Sequence, residues 1–268
     1  MNKQVILGGI AIAVLGAGAP LFAAPTPDYN WTGFYAGLNA GGASGRSDLK
    51  TSVASDGYFD QSTSVPSVDS HGSQTVSPSG FIGGIQAGYN QQSGHVVYGI
   101  EGDFDALDLS GSKSISAVYP DYAPSSYIIN QSVKTNWLVT VRPKIGWAQD
   151  RYLVYATGGL AYTQLQYHGS FNDNYNGDND PDTTSFADGA FESASKTESE
   201  AGYVLGLGAG YALQNNWSVS AEYLYVDFGR ISTSGTLTTS VYPGDSAILN
   251  HSANLSSNIF RVALNYKF

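Results

Sequence analysis

The sequence lacks cysteine, which excludes disulfide bonds, thiolate metal ligands and a cysteine nucleophile. Charge is also scarce: Asp, Glu, Lys and Arg make up 13% of the 268 residues, against about 25% in ordinary soluble domains. Acidic residues outnumber basic ones by 22 to 12, so the formal net charge is −10. A protein that binds nucleic acid needs a basic surface, and this composition therefore argues against a nucleic-acid partner.

Beyond the N-terminus the sequence has no run of the roughly 20 apolar residues that a transmembrane helix requires. Its one apolar stretch, residues 5–19, follows Lys3 and precedes Ala23, and it is too short for a membrane anchor. A basic start, a short apolar run and a small residue before the cut are typical of a secretory signal peptide. We therefore expect residues 1–23 to be a signal peptide, cleaved after Ala23, and residues 24–268 to form the mature domain.

Glycine (32 residues) and tyrosine (19 residues) are abundant instead, and apolar residues alternate with polar or small ones. The clearest alternation is at the C-terminus, where Phe260, Val262, Leu264, Tyr266 and Phe268 fall on one face. A period of two residues predicts a β-strand. Seven other segments alternate in the same way, and the eight predicted strands are residues 33–42, 79–90, 96–107, 134–148, 152–166, 201–213, 217–228 and 259–268.

The connections between these strands alternate strictly between short and long. The short ones are residues 91–95, 149–151 and 214–216, and the long ones are 43–78, 108–133, 167–200 and 229–257. Outer-membrane barrels have an even number of strands, short periplasmic turns and long extracellular loops. The sequence therefore predicts an all-β fold, an eight-stranded antiparallel transmembrane β-barrel in the outer membrane of a Gram-negative bacterium. A soluble β-sandwich, the alternative fold, gives no reason for every long loop to lie at one end.

One residue conflicts with this pattern. Pro143 lies inside the fourth predicted strand. Proline has no N–H to donate to the ladder, and within a central strand it usually marks a bulge.

Four segments resemble a known family: residues 31–42, 135–142, 153–162 and 221–229. They are similar to the small outer-membrane β-barrel proteins of alphaproteobacteria, relatives of the opacity proteins and of the OmpA membrane domain. The C-terminal Phe268, with Tyr266 two residues before it, resembles the signal that the barrel assembly machinery reads. The resemblance implies an outer-membrane barrel but no single activity, because the family includes surface antigens, envelope-stabilising proteins, haem binders and proteins called porins.

Charged residues are predicted on the inner face of the barrel. They are Glu101, Asp103, Asp105, Arg142, Lys144, Glu222, Arg261 and Lys267. Eight strands leave an interior just wide enough for side chains to fill it, and an unpaired buried charge is strongly unfavourable. We therefore expect a plug of salt bridges and hydrogen bonds, with an ion-selective pore as the alternative.

Three histidines, His71, His168 and His251, lie in the predicted long loops or at their edges. Imidazole is the commonest metal ligand and can also ligate haem iron, so these residues are candidate loop ligands. They lack a local ligand motif, and solvated loop residues are the simpler interpretation. No cofactor or metal is predicted. Two Ser-x-x-Lys matches, at residues 110–113 and 193–196, lie in Ser-rich predicted loops, and no catalytic residue is predicted.

The leading hypothesis is a barrel without enzymatic activity that contributes to envelope integrity and to the cell surface. Its expected partners are outer-membrane lipid, lipopolysaccharide and, through the C-terminal strand, the barrel assembly machinery. Two alternatives remain: a narrow porin-like diffusion channel, and a barrel whose loops bind haem or a host surface.

Overall fold

The computed structural model describes residues 29–175, 186, 189–239 and 244–268. These residues form nine strands and a helix: β1 Gly33–Asp56, α1 Ser64–His71, β2 Ser73–Val76, β3 Ser79–Ser93, β4 Val96–Val118, β5 Ser126–Gln149, β6 Tyr152–Asp173, β7 Ala190–Ala212, β8 Trp217–Thr239 and β9 Ser246–Lys267. In this part of the chain, no helix combines the length and the apolar character needed to cross a membrane. The predicted signal peptide and its cleavage after Ala23 lie outside the described residues.

Eight of the strands close into a barrel. Each of β3 to β8 pairs antiparallel with the next strand in sequence, β1 pairs with β3, and β9 pairs back onto β1. The closing ladder runs from Tyr35 opposite Lys267 to Asp56 opposite Ala247, so it holds the barrel together over nearly the full length of β1. The predicted eight-stranded antiparallel barrel is confirmed.

The short strand β2 continues the line of β3 along the edge of β1. Residues 33–44 of β1 pair with β3, and Ser47–Lys50 pair with β2. Pro78 lies at the break between β2 and β3, where its carbonyl accepts a hydrogen bond from the Gly45 N–H at 2.7 Å. In the described residues, the outer part of β4 beyond Leu107 is hydrogen-bonded to β5 but to neither β2 nor β3. We call this gap between β2 and β4 the seam.

The strands are longer than the sequence predicted. Seven of the eight barrel strands contain 22–24 residues, or roughly 75 Å along each strand, whereas about 9–11 tilted residues cross a bilayer. The segments predicted as long loops, 43–78, 108–133, 167–200 and 229–257, are therefore largely strand. Their exterior is polar, which weakens the contrast between the two faces that marks a membrane strand in a sequence.

The outer surface divides into two zones. Large apolar side chains are exposed in the half of the barrel nearer the short turns, among them Phe34, Ile100, Ile145, Leu207 and Val262. The exterior of the other half consists mainly of Ser, Thr, Asn and charged side chains. Because the short turns of such barrels face the periplasm, the apolar half spans the membrane. We call the other half the extracellular extension.

The interior is filled in layers. The inward-facing residues of β5, starting from the periplasmic side, are Ala148, Lys144, Arg142, Thr140, Leu138, Thr135, Val133, Gln131, Ile129 and Tyr127. From the periplasmic side outward, the interior thus contains a charged layer, an apolar layer, a polar layer and an aromatic cap. The apolar layer, contributed by several strands, includes Leu49, Leu107, Leu138, Leu165, Leu224 and Ile259. The aromatic cap includes Phe59, Tyr119, Tyr127 and Phe171.

Register shifts occur near the boundary between the two zones. One lies between Ala106 and Leu109 of β4, and another between Lys134 and Val139 on β5. The β5 irregularity reverses the expected facing of Asn136. The alternation that turns Leu138, Thr140 and Arg142 inward would also turn Asn136 inward, but Asn136 is exposed on the outside. Alternation with a period of two residues cannot locate such an irregularity in a sequence. The irregularity adds a residue to one strand, and no particular amino-acid type marks its position.

Pro143 does not introduce a bulge. The β5–β6 register is the same on either side of it, from Val141 opposite Leu160 to Lys144 opposite Thr157. The residues opposite the gap in this ladder are Gly158 and Gly159. The strand therefore tolerates proline through a local interruption of pairing, while the Pro143 carbonyl still accepts a hydrogen bond from the Thr157 hydroxyl at 2.9 Å.

Candidate functional site

The charged layer gathers side chains from four strands. Seven of the eight residues predicted in the network contribute to it: Glu101, Asp103 and Asp105 from β4, Arg142 and Lys144 from β5, Glu222 from β8 and Arg261 from β9. Pairing across strands brings opposite charges together, since Glu101 lies directly opposite Arg142 and Glu222 directly opposite Arg261. Alternation turns all of them inward, and we call this group the charge layer.

Two arginines organise the charge layer. The Arg142 Nη2 atom lies 2.6 Å from Glu101 Oε1 and 2.7 Å from Asp103 Oδ2. Arg261 contacts three carboxylates: Nη2 lies 2.9 Å from Asp103 Oδ2, Nη1 lies 2.9 Å from Asp105 Oδ2, and Nε donates to Glu222 Oε2 at 2.8 Å. Both arginine side chains are 0% exposed. Buried arginines are expected to have such partners, because an unpaired charge in the interior is strongly unfavourable.

Two tyrosines extend the network toward the periplasm. The Tyr35 hydroxyl donates to Glu101 Oε2 at 2.6 Å, and the Tyr155 hydroxyl donates to Glu222 Oε1 at 2.7 Å. Lys144 donates to the Tyr35 hydroxyl and lies 3.1 Å from Glu101 Oε2. Its Nζ also lies 4.6 Å from the centre of the Tyr35 ring, within cation–π range. Neither tyrosine was among the predicted network residues, because a sequence pattern marks only ionised side chains as partners for buried charges, although the alternation of β1 turns Tyr35 inward.

Lys267 does not join the charge layer, so its predicted place in the network is wrong. It is the last residue of β9, and its ammonium donates to the Asn30 carbonyl and lies 4.3 Å from the centre of the Tyr29 ring. The alternation of β9 correctly placed it on the inner face. Its position at the strand end keeps it at the periplasmic opening, away from the carboxylates.

The interior is closed at two successive levels. In the charge layer, three cations are interleaved with four carboxylates, and the apolar layer lies directly above them. Leu107, Leu138 and Leu224 in that layer are 0% exposed. On the periplasmic side is a small cavity of about 30 Å³, lined in part by Glu101, Lys144 and Tyr155. The arrangement packs side chains across the lumen at the level where an ion would have to pass.

The three candidate histidines do not form a ligand set. His71 ends α1, and its Nδ1 hydrogen-bonds to the Tyr127 hydroxyl at 2.9 Å. His168 is exposed on β6, and His251 is buried inside β9. The prediction that they lie in or beside loops is therefore wrong for His168 and His251. Over the described ranges, no three His, Asp or Glu side chains are grouped so as to hold a metal ion.

His251 instead belongs to a buried polar layer. Its Nδ1 hydrogen-bonds to the Thr51 hydroxyl at 2.8 Å, and its Nε2 lies 3.2 Å from Glu192 Oε1. The side chains of both His251 and Glu192 are 0% exposed. Gln131 donates to the same Thr51 hydroxyl at 2.7 Å and to the Gly72 carbonyl. This layer links β1, β5, β7 and β9 above the apolar layer.

Another buried carboxylate, separate from those of the charge layer and from Glu192, lies at the outer end of the lumen. Asp173, the last residue of β6, accepts hydrogen bonds from the Tyr119 hydroxyl at 2.6 Å, the Tyr58 hydroxyl at 2.9 Å and the Ala190 N–H at 2.6 Å. Burial raises the pKa of Asp173 above its ordinary value, an effect that these three donors partly offset. Burial and the adjacent carboxylate also raise the pKa of the Tyr119 phenol. The predicted site residues included neither Asp173 nor the tyrosines that it joins.

Comparisons with known proteins agree with this geometry. The family described as "outer membrane protein beta-barrel domain" matches residues 10–268. The 31 kDa outer-membrane immunogenic protein of Brucella melitensis is 35% identical over 279 aligned residues, which cover 99% of this chain and 100% of that protein. The 22 kDa outer membrane protein of Rhizobium leguminosarum is 28% identical over 149 residues, covering 56% of this chain and 53% of that protein.

Two solved structures also align with most of the chain. The outer membrane protein OprG from Pseudomonas aeruginosa is 13% identical with a TM-score of 0.46, covering 89% of this chain and 98% of its own. The outer membrane protease OmpT from Escherichia coli is 11% identical, also with a TM-score of 0.46, and covers 91% and 99%. The family match and the relative of full length decide the assignment: the chain is an outer-membrane protein and belongs to the outer membrane protein β-barrel domain family.

Proposed function

We propose that the protein is a non-conducting barrel without catalytic activity, which strengthens the outer membrane and displays its extracellular extension at the cell surface. The observation that supports this most is the doubly closed lumen. Arg142 and Arg261 are fully buried among four carboxylates, and the fully buried side chains of Leu107, Leu138 and Leu224 lie above them. Such a filled interior is better suited to a barrel with a structural role than to a diffusion channel.

The alternative, a narrow diffusion channel, requires a continuous path for water and ions. An ion would have to displace several short ion pairs in the charge layer and then enter the apolar layer. Apolar constrictions block ions by excluding water. Opening both levels therefore requires a rearrangement of several strands, which argues for a barrel that does not conduct.

Single-channel conductance in a planar bilayer tests this proposal. The refolded mature protein is first checked for folding by its heat-modifiable migration on a gel. We expect a folded barrel that gives no discrete conductance steps. Steps whose ion selectivity changes when Arg142 and Lys144 are neutralised would overturn the non-conducting role and support the channel.

The proposed partner in the outer leaflet is lipopolysaccharide, and a groove on the outer wall of the extension supports it. Lys50 and Arg230 line this groove with the polar side chains of Ser232 and Asn250, on β1, β8 and β9. Neither Lys50 nor Arg230 forms an ion pair within the described residues, whereas Arg46 lies 3.2 Å from Asp48. Cations free of protein carboxylates are suited to phosphate groups.

Detergent sensitivity of a deletion strain tests this contact. We expect the intact gene to restore resistance and the double variant Lys50→Gln/Arg230→Gln to restore it only in part at equal abundance. Arg46→Gln, which alters an already paired cation on the same strand, is the matched control and is expected to restore full resistance. Unchanged detergent sensitivity and permeability after deletion would contradict the envelope role itself.

Display at the surface is supported by the extension and by the relatives. The 31 kDa relative from Brucella melitensis is named an outer-membrane immunogenic protein, and the extension of this chain carries a polar exterior beyond the membrane zone. Binding of a host surface would use this same region. Haem held jointly by His71, His168 and His251 is not proposed, because these side chains lie at a helix end, on the outer wall and in the interior.

A further inference from the structure

We propose that the extracellular end of the barrel contains a binding site for a small quaternary ammonium group, the chemistry found in choline and betaine. The site is a partly open cavity of about 50 Å³. Its walls are Tyr58, Phe59, Tyr119, Tyr122 and Tyr175, with Asp60 and Ser64 beside them. Drug-sized ligands occupy roughly 300–1,000 Å³, so this cavity suits a smaller group. The proposal does not depend on whether the lumen conducts.

The rings are arranged as the walls of a box. Tyr58 and Tyr175 have ring centres 6.4 Å apart and planes inclined at 78°, and Tyr122 and Tyr175 are 5.1 Å apart at 68°. Tyr58 and Phe59 meet at 83°. Rings that meet nearly at right angles present different faces to one enclosed space. A cation within about 6 Å of several ring centres is attracted by the negative charge on those faces.

The electrostatics of the cavity favour a cation. Asp60 is in the lining, and the described lining contains no Lys or Arg. The hydroxyls of Tyr58 and Tyr119, two of the lining residues, both donate hydrogen bonds to the Asp173 carboxylate. Donation to a carboxylate increases the electron density of a phenol ring and so strengthens its attraction for a cation. An anionic ligand would meet the Asp60 carboxylate, and no positive side chain among the described lining residues would compensate it.

The aromatic rings around this cavity are not needed to close the outer end of the barrel. Two rings of the aromatic cap that do not line the cavity, Tyr127 and Phe171, stack 5.6 Å apart, are 0% exposed and already fill the outer end of the lumen. The rings of Tyr58, Tyr122 and Tyr175 differ from these, since they are only partly buried and surround open space. They come from three separate connections of the barrel, after β1, β4 and β6, which converge at this point.

Calorimetric titration with choline tests the site, using the full mature protein refolded in a non-ionic detergent that has no amine head group. We expect saturable binding at millimolar concentration or below. The neutral isostere 3,3-dimethylbutan-1-ol, which replaces the charged nitrogen by carbon, is expected to bind at least about 5-fold more weakly. Equal binding of the two compounds, or no binding of choline up to tens of millimolar, would overturn the proposal.

Two variants at one position separate the ring from the hydroxyl. Tyr122→Ala removes a wall and is expected to weaken choline binding at least about 5-fold, whereas Tyr122→Phe keeps the π face and is expected to stay within about 2-fold. Tyr152→Ala, at a periplasmic turn, is the control for general effects of losing a tyrosine. Heat-modifiable migration confirms that each variant is folded. Full affinity in folded Tyr122→Ala would contradict the assignment.

The source of the ammonium group is decided by comparing choline with glycerophosphocholine. Tighter binding of choline identifies a free organic cation as the ligand. Tighter binding of glycerophosphocholine identifies a phospholipid head group. Both results support the cage, and failure of both compounds overturns it.

Discussion

Arg142 and Arg261 share one oxygen atom, Oδ2 of Asp103, which lies 2.7 Å from the first arginine and 2.9 Å from the second. Thr140 donates to the same oxygen at 2.8 Å. The three donors come from β5 and β9, and Asp103 comes from β4. A single carboxylate therefore joins opposite parts of the barrel wall across the lumen, and the charge layer acts as a brace as well as a plug.

Replacing one of these arginines should destabilise the barrel. Arg261→Met leaves Asp103, Asp105 and Glu222 short of their shared partner, and removing one side of a buried ion pair costs about 3–5 kcal/mol. We expect a loss of this size in the free energy of unfolding, measured by urea titration of the refolded protein in lipid vesicles. Arg46→Met removes a cation that is 67% exposed and should cost about 1 kcal/mol or less. Equal losses for the two variants would show that the charge layer is not a brace.

The apolar layer should contribute through close packing. Leu224 is 0% exposed on β8, and Leu224→Ala leaves a space inside the barrel that neither lipid nor bulk water fills freely. Truncations of this kind cost about 2–5 kcal/mol. Leu207→Ala, on the lipid-facing side of β7, is the matched control and should cost less because lipid fills the gap. A smaller effect at Leu224 than at Leu207 in the same urea titration would contradict the layered interior.

The outer end of the lumen should be stabilised by acid. Because burial raises the pKa of Asp173 above its ordinary value of 3.8, the folded state holds that proton more tightly than the unfolded state does. The resulting contribution to stability is fully present below pH 3.8 and is lost as the pH rises through the raised pKa. We expect Asp173→Asn to remove this part of the pH dependence, measured by tyrosine fluorescence during urea unfolding. Identical pH profiles for the two proteins would exclude Asp173 as its origin.

The C-terminal strand should direct assembly. Tyr266 is exposed on the outer face of β9, and Phe268, which directly follows the strand, is 76% exposed. We expect Phe268→Ala to reduce the amount of folded barrel in the outer membrane of cells, measured by heat-modifiable migration of membrane fractions. Phe260→Ala, on the same face of β9 but away from the C-terminus, should have a smaller effect. The same yield for both variants would show that general loss of an aromatic residue is responsible.

The membrane half was predictable because lipid imposes a strong contrast between the two faces of each strand. Alternation correctly turned Glu101, Arg142, Glu222 and Arg261 inward, and the narrow lumen then required them to pair. What alternation could not supply was the position of the irregularities. Asn136 was therefore assigned to the wrong face.

The extension was not predictable by the same argument. Both of its faces lie outside the lipid, so serine and threonine outside alternate with a mixture of apolar and polar residues inside, and the segments were interpreted as loops. His251 shows the consequence: a residue assigned to a long loop is fully buried and hydrogen-bonded to Thr51. Asp173 and the tyrosine cage depend on three connections that converge in space, which no local pattern in the sequence encodes.

At the seam between β2 and β4, the described strands of the extension are not joined by backbone hydrogen bonds, so its ring of strands is interrupted there. At the seam, side-chain packing replaces backbone hydrogen bonds: a Cβ atom placed on Gly111 would lie only 3.1 Å from Val76 Cγ2. Backbone amides along this edge depend on side chains for protection from solvent, so deuterium should enter the outer part of β4 before the β1–β9 ladder. We therefore expect the extension to open along this edge more readily than the ring of strands in the membrane does.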